Sequence, residues 1–204
     1  MLDTLIIGGG AAGLSCALVL GSGLKKTFAR TKSVAIITHQ KTSHLQNALF
    51  NNVLGLKPGT LGKDLLESGK EQLKLLYPEV LQIEKEKVIS ILNLDTHFEI
   101  ITNKDKYTAL RVVVAVGYTN LINIKGLERY LEPHPQTATE KNRLWLKNKN
   151  NLVAKNLYVA GTLAGGRSQF AIASGSGAQV ATDILTLWNN GKHTKIHDKI
   201  ALDL

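Results

Sequence analysis

With a single cysteine, Cys16, the chain has no internal disulfide and no Cys-x-x-Cys redox or metal centre. Nothing marks an oxidising compartment, so the cytoplasm is the expected location. Aromatic residues make up only 5% of the sequence, too few for a platform that stacks single-stranded nucleic acid. Acidic residues are also scarce, 16 against 25 Lys and Arg, which leaves a formal charge of +9. The cations fall in short groups, such as Lys25-Lys26, Lys85 with Lys87, and Lys104 with Lys106. They read as a solvated surface that attracts anions in general, so neither nucleic acid nor a membrane is an expected partner. The most apolar stretch, Leu5 to Leu20, has Asp3 ahead of it instead of a basic segment and is interrupted by three consecutive glycines. It is not expected to be a targeting or membrane segment.

What remains is a chain of 204 residues with 44% hydrophobic and 20% charged residues, the profile of one globular domain. Asp3 to Ile7 reads as a strand whose apolar residues do not alternate, as in a parallel sheet covered on both faces. A helix follows from Ala11 to about Leu20, which Gly21, Gly23 and the basic stretch Lys25 to Lys32 are expected to end. Val34 to Thr38 is the next strand, completing a βαβ unit. Leu61 to Tyr77 carries helical periodicity and stops at Pro78. Val80 to Leu92, His97 to Thr102 and Tyr107 to Ala109 read as a small antiparallel sheet. Arg111 to Val116 and Leu157 to Ala160 are further buried strands, and a long helix runs from Ser168 to Trp188. Residues 118 to 156 carry the least pattern, and the polar tail from Asn189 is expected to pack loosely.

The chemistry lies in Gly8-Gly9-Gly10-Ala11-Ala12-Gly13. A Gly-x-Gly-x-x-Gly run alone is a weak signal, but here a buried strand precedes it and a helix and second strand follow. Gly8 would make the tight turn, Gly10 would admit a pyrophosphate to the backbone, and Gly13 would let helix and strand pack closely. The free N–H groups and partial positive charge of the helix start would then face the phosphates. At the end of the second strand, where a carboxylate ordinarily accepts hydrogen bonds from the adenosine ribose, Thr38 and His39 stand instead.

Three further segments, Val112 to Gly117, Asn156 to Thr162 and Gln169 to Ala178, resemble the FAD domain of thioredoxin-reductase-like pyridine nucleotide-disulfide oxidoreductases. A weaker match, Leu45-Gln-Asn-Ala48 through Gly62, looks like a flavin-side loop of the shorter, dithiol-oxidase-like members. The resemblance covers roughly residues 1 to 117 and 144 to 188. It implies an α/β fold: a Rossmann-like FAD-binding domain in three layers, a parallel sheet with a small antiparallel sheet, over residues 1–190. Residues 118–143 would stand where relatives insert a nicotinamide domain, and 191–204 would be a tail. Neither a second glycine fingerprint nor the redox cysteine pair of those relatives is present.

Carried over by position, the resemblance implies that Gly8, Gly10, Ala11, Ala12 and Gly13 hold the FAD pyrophosphate. Thr38 and His39 would border the adenosine, with Val88 and Gly117 on the adenine side and Asn47 near the isoalloxazine. Gly161 and Thr162 would meet the ribityl chain, Thr162 replacing the family's aspartate. Gln169, Phe170 and Ala171 would lie at the pyrimidine edge, with the last helix aiming its N-terminus there. The implied activity is FAD-dependent electron transfer between a small-molecule or protein donor and an acceptor. The alternatives are a non-catalytic FAD-binding module, either a redox sensor or a subunit of a larger complex, and a simple NAD-binding Rossmann dehydrogenase. A homodimer is one option for covering the surfaces around the flavin. Cys16 reads as a buried small hydrophobe and Trp145 and Trp188 as packing residues. His44, in the flavin-side loop, is weighed as an acid or base against a plain exposed histidine. No catalytic side chain and no metal site are expected.

Overall fold

Seven short strands up to residue 114 set the frame: β1 (Thr4–Ile7), β2 (Val34–Thr38), β5 (Leu81–Glu84), β6 (Val88–Asn93), β7 (Phe98–Thr102), β8 (Lys106–Ala109) and β9 (Val112–Val114). The hairpin pair β3 (Leu49–Phe50) and β4 (Thr60–Leu61) lies among them. In the second half follow β10 (Leu131–Pro133), β11 (Leu144–Leu146), β12 (Leu152–Ala154) and β13 (Leu157–Val159). Among the described residues three α-helices accompany them: α1 (Ala11–Leu24), α2 (Gly62–Leu76) and α3 (Phe170–Trp188). This computed structural model describes residues 1–39, 44–117 and 122–197.

The central sheet has the order β12-β13-β9-β1-β2-β5, parallel throughout except for β12. Its strands are apolar on consecutive residues because both faces are covered. Ile6, Ile36 and Val113 face one way, against Cys16, Ala17 and Leu20 of α1, Leu66 and Leu73 of α2, and Ile184 and Leu185 of α3. Leu5, Ile7, Ile37, Val112 and Val114 face the other way, against Val88, Ile91, Phe98 and Ile100 of the antiparallel sheet β6-β7-β8. The architecture is therefore the expected one: a single α/β domain with helices, parallel sheet and antiparallel sheet as three layers.

Some local expectations change. Helix α1 does not stop at Gly21 and Gly23 but runs to Leu24, because both glycines face neighbours too close for a side chain. A Cβ on Gly21 would lie 2.7 Å from the Tyr77 side chain, and one on Gly23 would strike Leu185. Here glycine is a packing device and not a breaker. The stretch Val80 to Leu92 is not one strand. Leu81–Glu84 extends the parallel sheet beside β2, and the chain then turns at Lys85, at φ 59°, whose N–H donates to the Thr38 carbonyl at 2.7 Å. Only Val88–Asn93 enters the antiparallel sheet. The weakly patterned segment holds the β10–β11 hairpin, which places Leu146 in the second core, with Leu127 just ahead of it. The tail is docked at its start: Thr194 is buried, its N–H donates to Thr186 Oγ1 at 3.3 Å, and Ile196 packs on the helical core.

At the opposite end of β1, Asp3 ties the chain to the start of β2. Its carboxylate accepts from the Ser33 N–H at 3.0 Å, the Ser33 hydroxyl at 3.2 Å and Lys32 Nζ at 3.0 Å. Burial alone raises its pKa, but the Ser33 hydrogen bonds and Lys32 outweigh it, and the carboxyl sits below its ordinary value. A lowered folded-state pKa gives stability that is complete above the unfolded value of about 3.9 and is lost as pH falls through the folded value. Asp3→Asn is therefore expected to destabilise the protein by about 2 kcal/mol at neutral pH. In urea titrations across pH, the gap from wild type should narrow as pH falls below the ordinary carboxylate value of about 3.9 and through the lower folded-state value.

Candidate functional site

The parallel strands end at a cleft of about 630 Å³, the size range of small-molecule and cofactor sites. Ile7 and Gly8 reach it from β1, Ile37 and His39 from β2, Ala115 to Gly117 from β9, and Ala160 and Gly161 from β13. This is the carboxyl edge of the sheet, where α/β folds place ligands. The N-termini of α1 and α3 open into the same cleft through Gly10, Ala11 and Ala12 on one side and Gln169 and Phe170 on the other.

The first helix start leaves its amides uncapped toward the cleft. Leu14 is the first residue whose N–H finds a helical carbonyl, that of Gly10 at 2.9 Å. Neither a side-chain cap nor an acidic residue occupies the first turn. The amides of the first turn and the helix dipole thus face the cleft together. The three motif glycines play separate parts. Gly8 has φ 115°, and a Cβ there would run into the Ala115 carbonyl; a Cβ on Gly13 would strike the Gly8 carbonyl. Both positions are dictated by the protein's own packing. Gly10 is different: its φ is −84°, open to any residue, and nothing lies within 4 Å of where its Cβ would stand. Among the described residues no neighbour requires glycine there, and the open space would admit a group pressed against these amides.

The last helix starts in the same way, with Gln169 as an N-cap that makes no side-chain bond and with no acid in the first turn. Phe50 and Phe170 stack at 5.1 Å between ring centroids, tilted by 58°, and form an aromatic wall of the cleft. Between the two helices lies the turn Gly161–Ala164, held from below by a polar network. Ser176 Oγ accepts from the Gly161 N–H and from Asn151 Nδ2, both at 3.0 Å. Asn151 Nδ2 also donates to the Val159 carbonyl at 2.8 Å, and Asn148 Nδ2 donates to Ala164 O at 3.1 Å. The buried His134 binds the Thr162 carbonyl through Nε2 at 3.0 Å, while Nδ1 accepts the Gln136 N–H at 3.2 Å. A carbonyl only accepts and an N–H only donates, so these partners fix a neutral ring protonated at Nε2.

Gly8, Gly10, Ala11, Ala12, His39, Val88, Gly117, Gly161, Thr162, Gln169 and Phe170, all singled out from the sequence, line the cleft. Gly13, Thr38, Asn47 and Ala171 do not. Gly13 lies against Gly8, and Thr38, 3% exposed, points into the protein because side chains alternate along β2. Asn47 and Ala171 are exposed, and their neighbours Ala48 and Ala173 line the cleft instead. The His44 side chain lies outside the described residues. Sequence reading missed Leu45, Phe50, Glu86, Lys87 and residues 122–124. The charged pair Glu86-Lys87 beside Val88 was the available signal, hidden because Val80 to Leu92 read as a continuous strand. Cys16 is fully buried in the helical layer, away from the cleft lining, and burial pushes its thiol pKa up.

Two observations test whether a dinucleotide fits. One is the unfilled space at Gly10. The other is His39 Nδ1, buried on a cleft-lining residue and without a hydrogen-bond partner among the described residues. Both fit a ligand with a diphosphate at the helix start and polar groups toward β2. Among the described residues no three His, Cys, Asp or Glu side chains converge as a metal site, and no helix is long and apolar enough to cross a membrane.

The sequence pattern of the pyridine nucleotide-disulphide oxidoreductases matches residues 2–177. The chain is 26% identical over 194 residues to the uncharacterized oxidoreductase CzcO of Bacillus subtilis (strain 168), covering 90% of this chain and 52% of that protein. It thus spans about half the length of the curated relatives it matches. A thioredoxin reductase from Gloeobacter violaceus superposes with a TM-score of 0.73 at 14% identity, covering 98% of this chain and 99% of the other. A ferredoxin-flavin thioredoxin reductase from Clostridium acetobutylicum gives 0.68 at 19% identity, covering 92% and 98%. At these identities the structural likeness speaks for the fold.

Proposed function

Since this chain belongs to the pyridine nucleotide-disulphide oxidoreductase family, we propose that it is an FAD-dependent oxidoreductase passing electrons from an external donor to a separate acceptor. The single observation that carries the cofactor is the open space at Gly10, which leaves room for a diphosphate at the amides of the helix start. FAD would supply the redox chemistry, accepting electrons from one partner and giving them to the next. The amides of Ala11, Ala12 and Gly13 would neutralise its diphosphate, and Gly161 and Thr162 would line its middle. The open N-terminus of α3 would present positive charge at the pyrimidine edge, where negative charge gathers on reduction, and so favour the reduced state. Phe50 and Phe170 would exclude water from one side. The rest of the lining is largely apolar, with Glu86 and Lys87 the only Asp, Glu, Lys or Arg side chains among the described residues that line it. Donor and acceptor would each be a small molecule or a protein, and a second copy of the chain would cover the outer side of the cleft.

A second reading, a non-catalytic FAD module or a subunit of a larger complex, draws support from residues 122–156. They form a hairpin, loops and the edge strand β12 in place of a second dinucleotide fold. One experiment separates the two. The purified protein is incubated with FAD and its released cofactor identified by mass. It is then titrated without oxygen with NADH, NADPH, a dithiol and finally dithionite, following the flavin band near roughly 450 nm. Bleaching by a biological donor supports the oxidoreductase. Bleaching by dithionite alone supports the module. Failure to hold any flavin overturns both.

A further inference from the structure

The ribose carboxylate missing from the end of β2 has a candidate replacement on the neighbouring strand. We propose that Glu86 and His39 together hydrogen-bond the adenosine ribose hydroxyls, and that Glu86 makes the site selective for a ribose with a free 2′-hydroxyl. The assignment rests on the dinucleotide reading above and deepens it at one end of the cleft.

Strands β2 and β5 run parallel in register, Thr38 opposite Glu84. The positive φ of Lys85, with its N–H on the Thr38 carbonyl, turns the chain at the carboxyl edge of the sheet. Glu86 therefore emerges beside the end of β2, and Glu86, Val88 and His39 line the same cleft. The carboxylate is already held in place. Thr102 Oγ1 donates to Oε2 at 2.7 Å, and the Tyr107 hydroxyl lies 3.1 Å from both oxygens. Desolvation, then the hydrogen bond and charge of Glu86, then Asp105, push Tyr107 up to about 12, so its hydroxyl stays a donor at neutral pH. A carboxylate has roughly four acceptor positions, and two donors leave room for a further pair. A ribose 2′,3′-diol offers two donors. His39 Nδ1, buried without a partner among the described residues, supplies one more polar contact on the same side. A phosphate at the 2′ position would instead meet a fixed negative charge.

The bland alternative is that Glu86 only fastens β5 to β7 and β8. The test is displacement of FAD from purified holoprotein by ADP, 2′-deoxy-ADP and adenosine 2′,5′-bisphosphate, read from released flavin fluorescence. Wild type is expected to bind ADP about tenfold or more tightly than either analogue. In Glu86→Gln, which keeps size and one acceptor oxygen, that ratio should shrink several-fold, mostly through weaker ADP binding. Equal binding of ADP and 2′-deoxy-ADP by wild type would overturn the proposal while FAD binding stands, and it needs no variant to fold. Equal loss of ADP and 2′-deoxy-ADP binding in Glu86→Gln would reduce the residue to a fastener and overturn it as well. A wild-type protein that takes up no FAD sinks the dinucleotide reading itself.

Discussion

Gly10→Val is expected to give a protein that folds and melts close to wild type but purifies with its flavin content reduced at least tenfold. The backbone at Gly10 is extended, and among the described residues no atom stands within 4 Å of the added Cβ, so the unliganded protein has room for the substitution there. What it fills is the approach to the amides of Ala11, Ala12 and Gly13, and a diphosphate kept from these N–H groups loses both its hydrogen bonds and the helix dipole. Gly13→Val should do the reverse. Its Cβ would overlap the Gly8 carbonyl, forcing α1 away from β1 at an overpacking cost of about 3 kcal/mol. For a chain of this length that is a fall of roughly 6–12 °C in the melting midpoint. The pair is informative because the two glycines are three residues apart in one motif. Thermal melts with and without added FAD, together with the absorbance ratio of purified protein, separate them. A destabilised Gly10→Val with normal flavin content would mean that the cleft at α1 is not the diphosphate site.

Asn151→Ala is expected to cost about 3 kcal/mol and to loosen the cofactor with it. Asn151 sits at φ 67°, where alanine is strained by about 1 kcal/mol and asparagine is tolerated. Its Nδ2 also holds Val159 O and Ser176 Oγ, and each lost bond costs about another 1 kcal/mol. Ser176 in turn accepts the Gly161 N–H, so the turn lining the cleft loses its support one step removed. Asn151→Gly relieves the backbone and leaves only the side-chain deficit. Asn151→Asp keeps size and φ but sets an oxygen against the Val159 carbonyl, and it should be at least as damaging as alanine. If urea melts rank aspartate near wild type, the network is not what holds the turn.

How far these residues announced themselves differs from case to case. The glycine fingerprint was legible because its meaning is local: a buried strand, a positive-φ turn and a helix start follow each other within about ten residues. The parallel strands were legible too, since a strand covered on both faces has no polar alternation to hide. Glu86 was not, because its place depends on which sheet each half of residues 80–92 joins, and a one-residue turn at Lys85 decides that. Nor were Asn151 and Ser176, 25 residues apart and joined only by a hydrogen bond through the core. The glycines of α1 misled for a related reason. Gly21 and Gly23 look like a helix end until Tyr77 and Leu185 are seen pressing on them.

The sequence by itself determined the βαβ unit, the glycine-rich start of α1 and the absence of a carboxylate at the end of β2, all consequences of near-neighbour patterns along the chain, whereas the three layers came through the family resemblance. Only the tertiary structure decided that, among the described residues, Gly10 has open space where a Cβ would stand while Gly13 does not. It alone brought Phe50 to Phe170 and set Glu86 at the edge that Thr38 leaves without a cleft-facing side chain. Close approach and shared walls depend on how distant segments pack, and short-range periodicity carries no record of that distance.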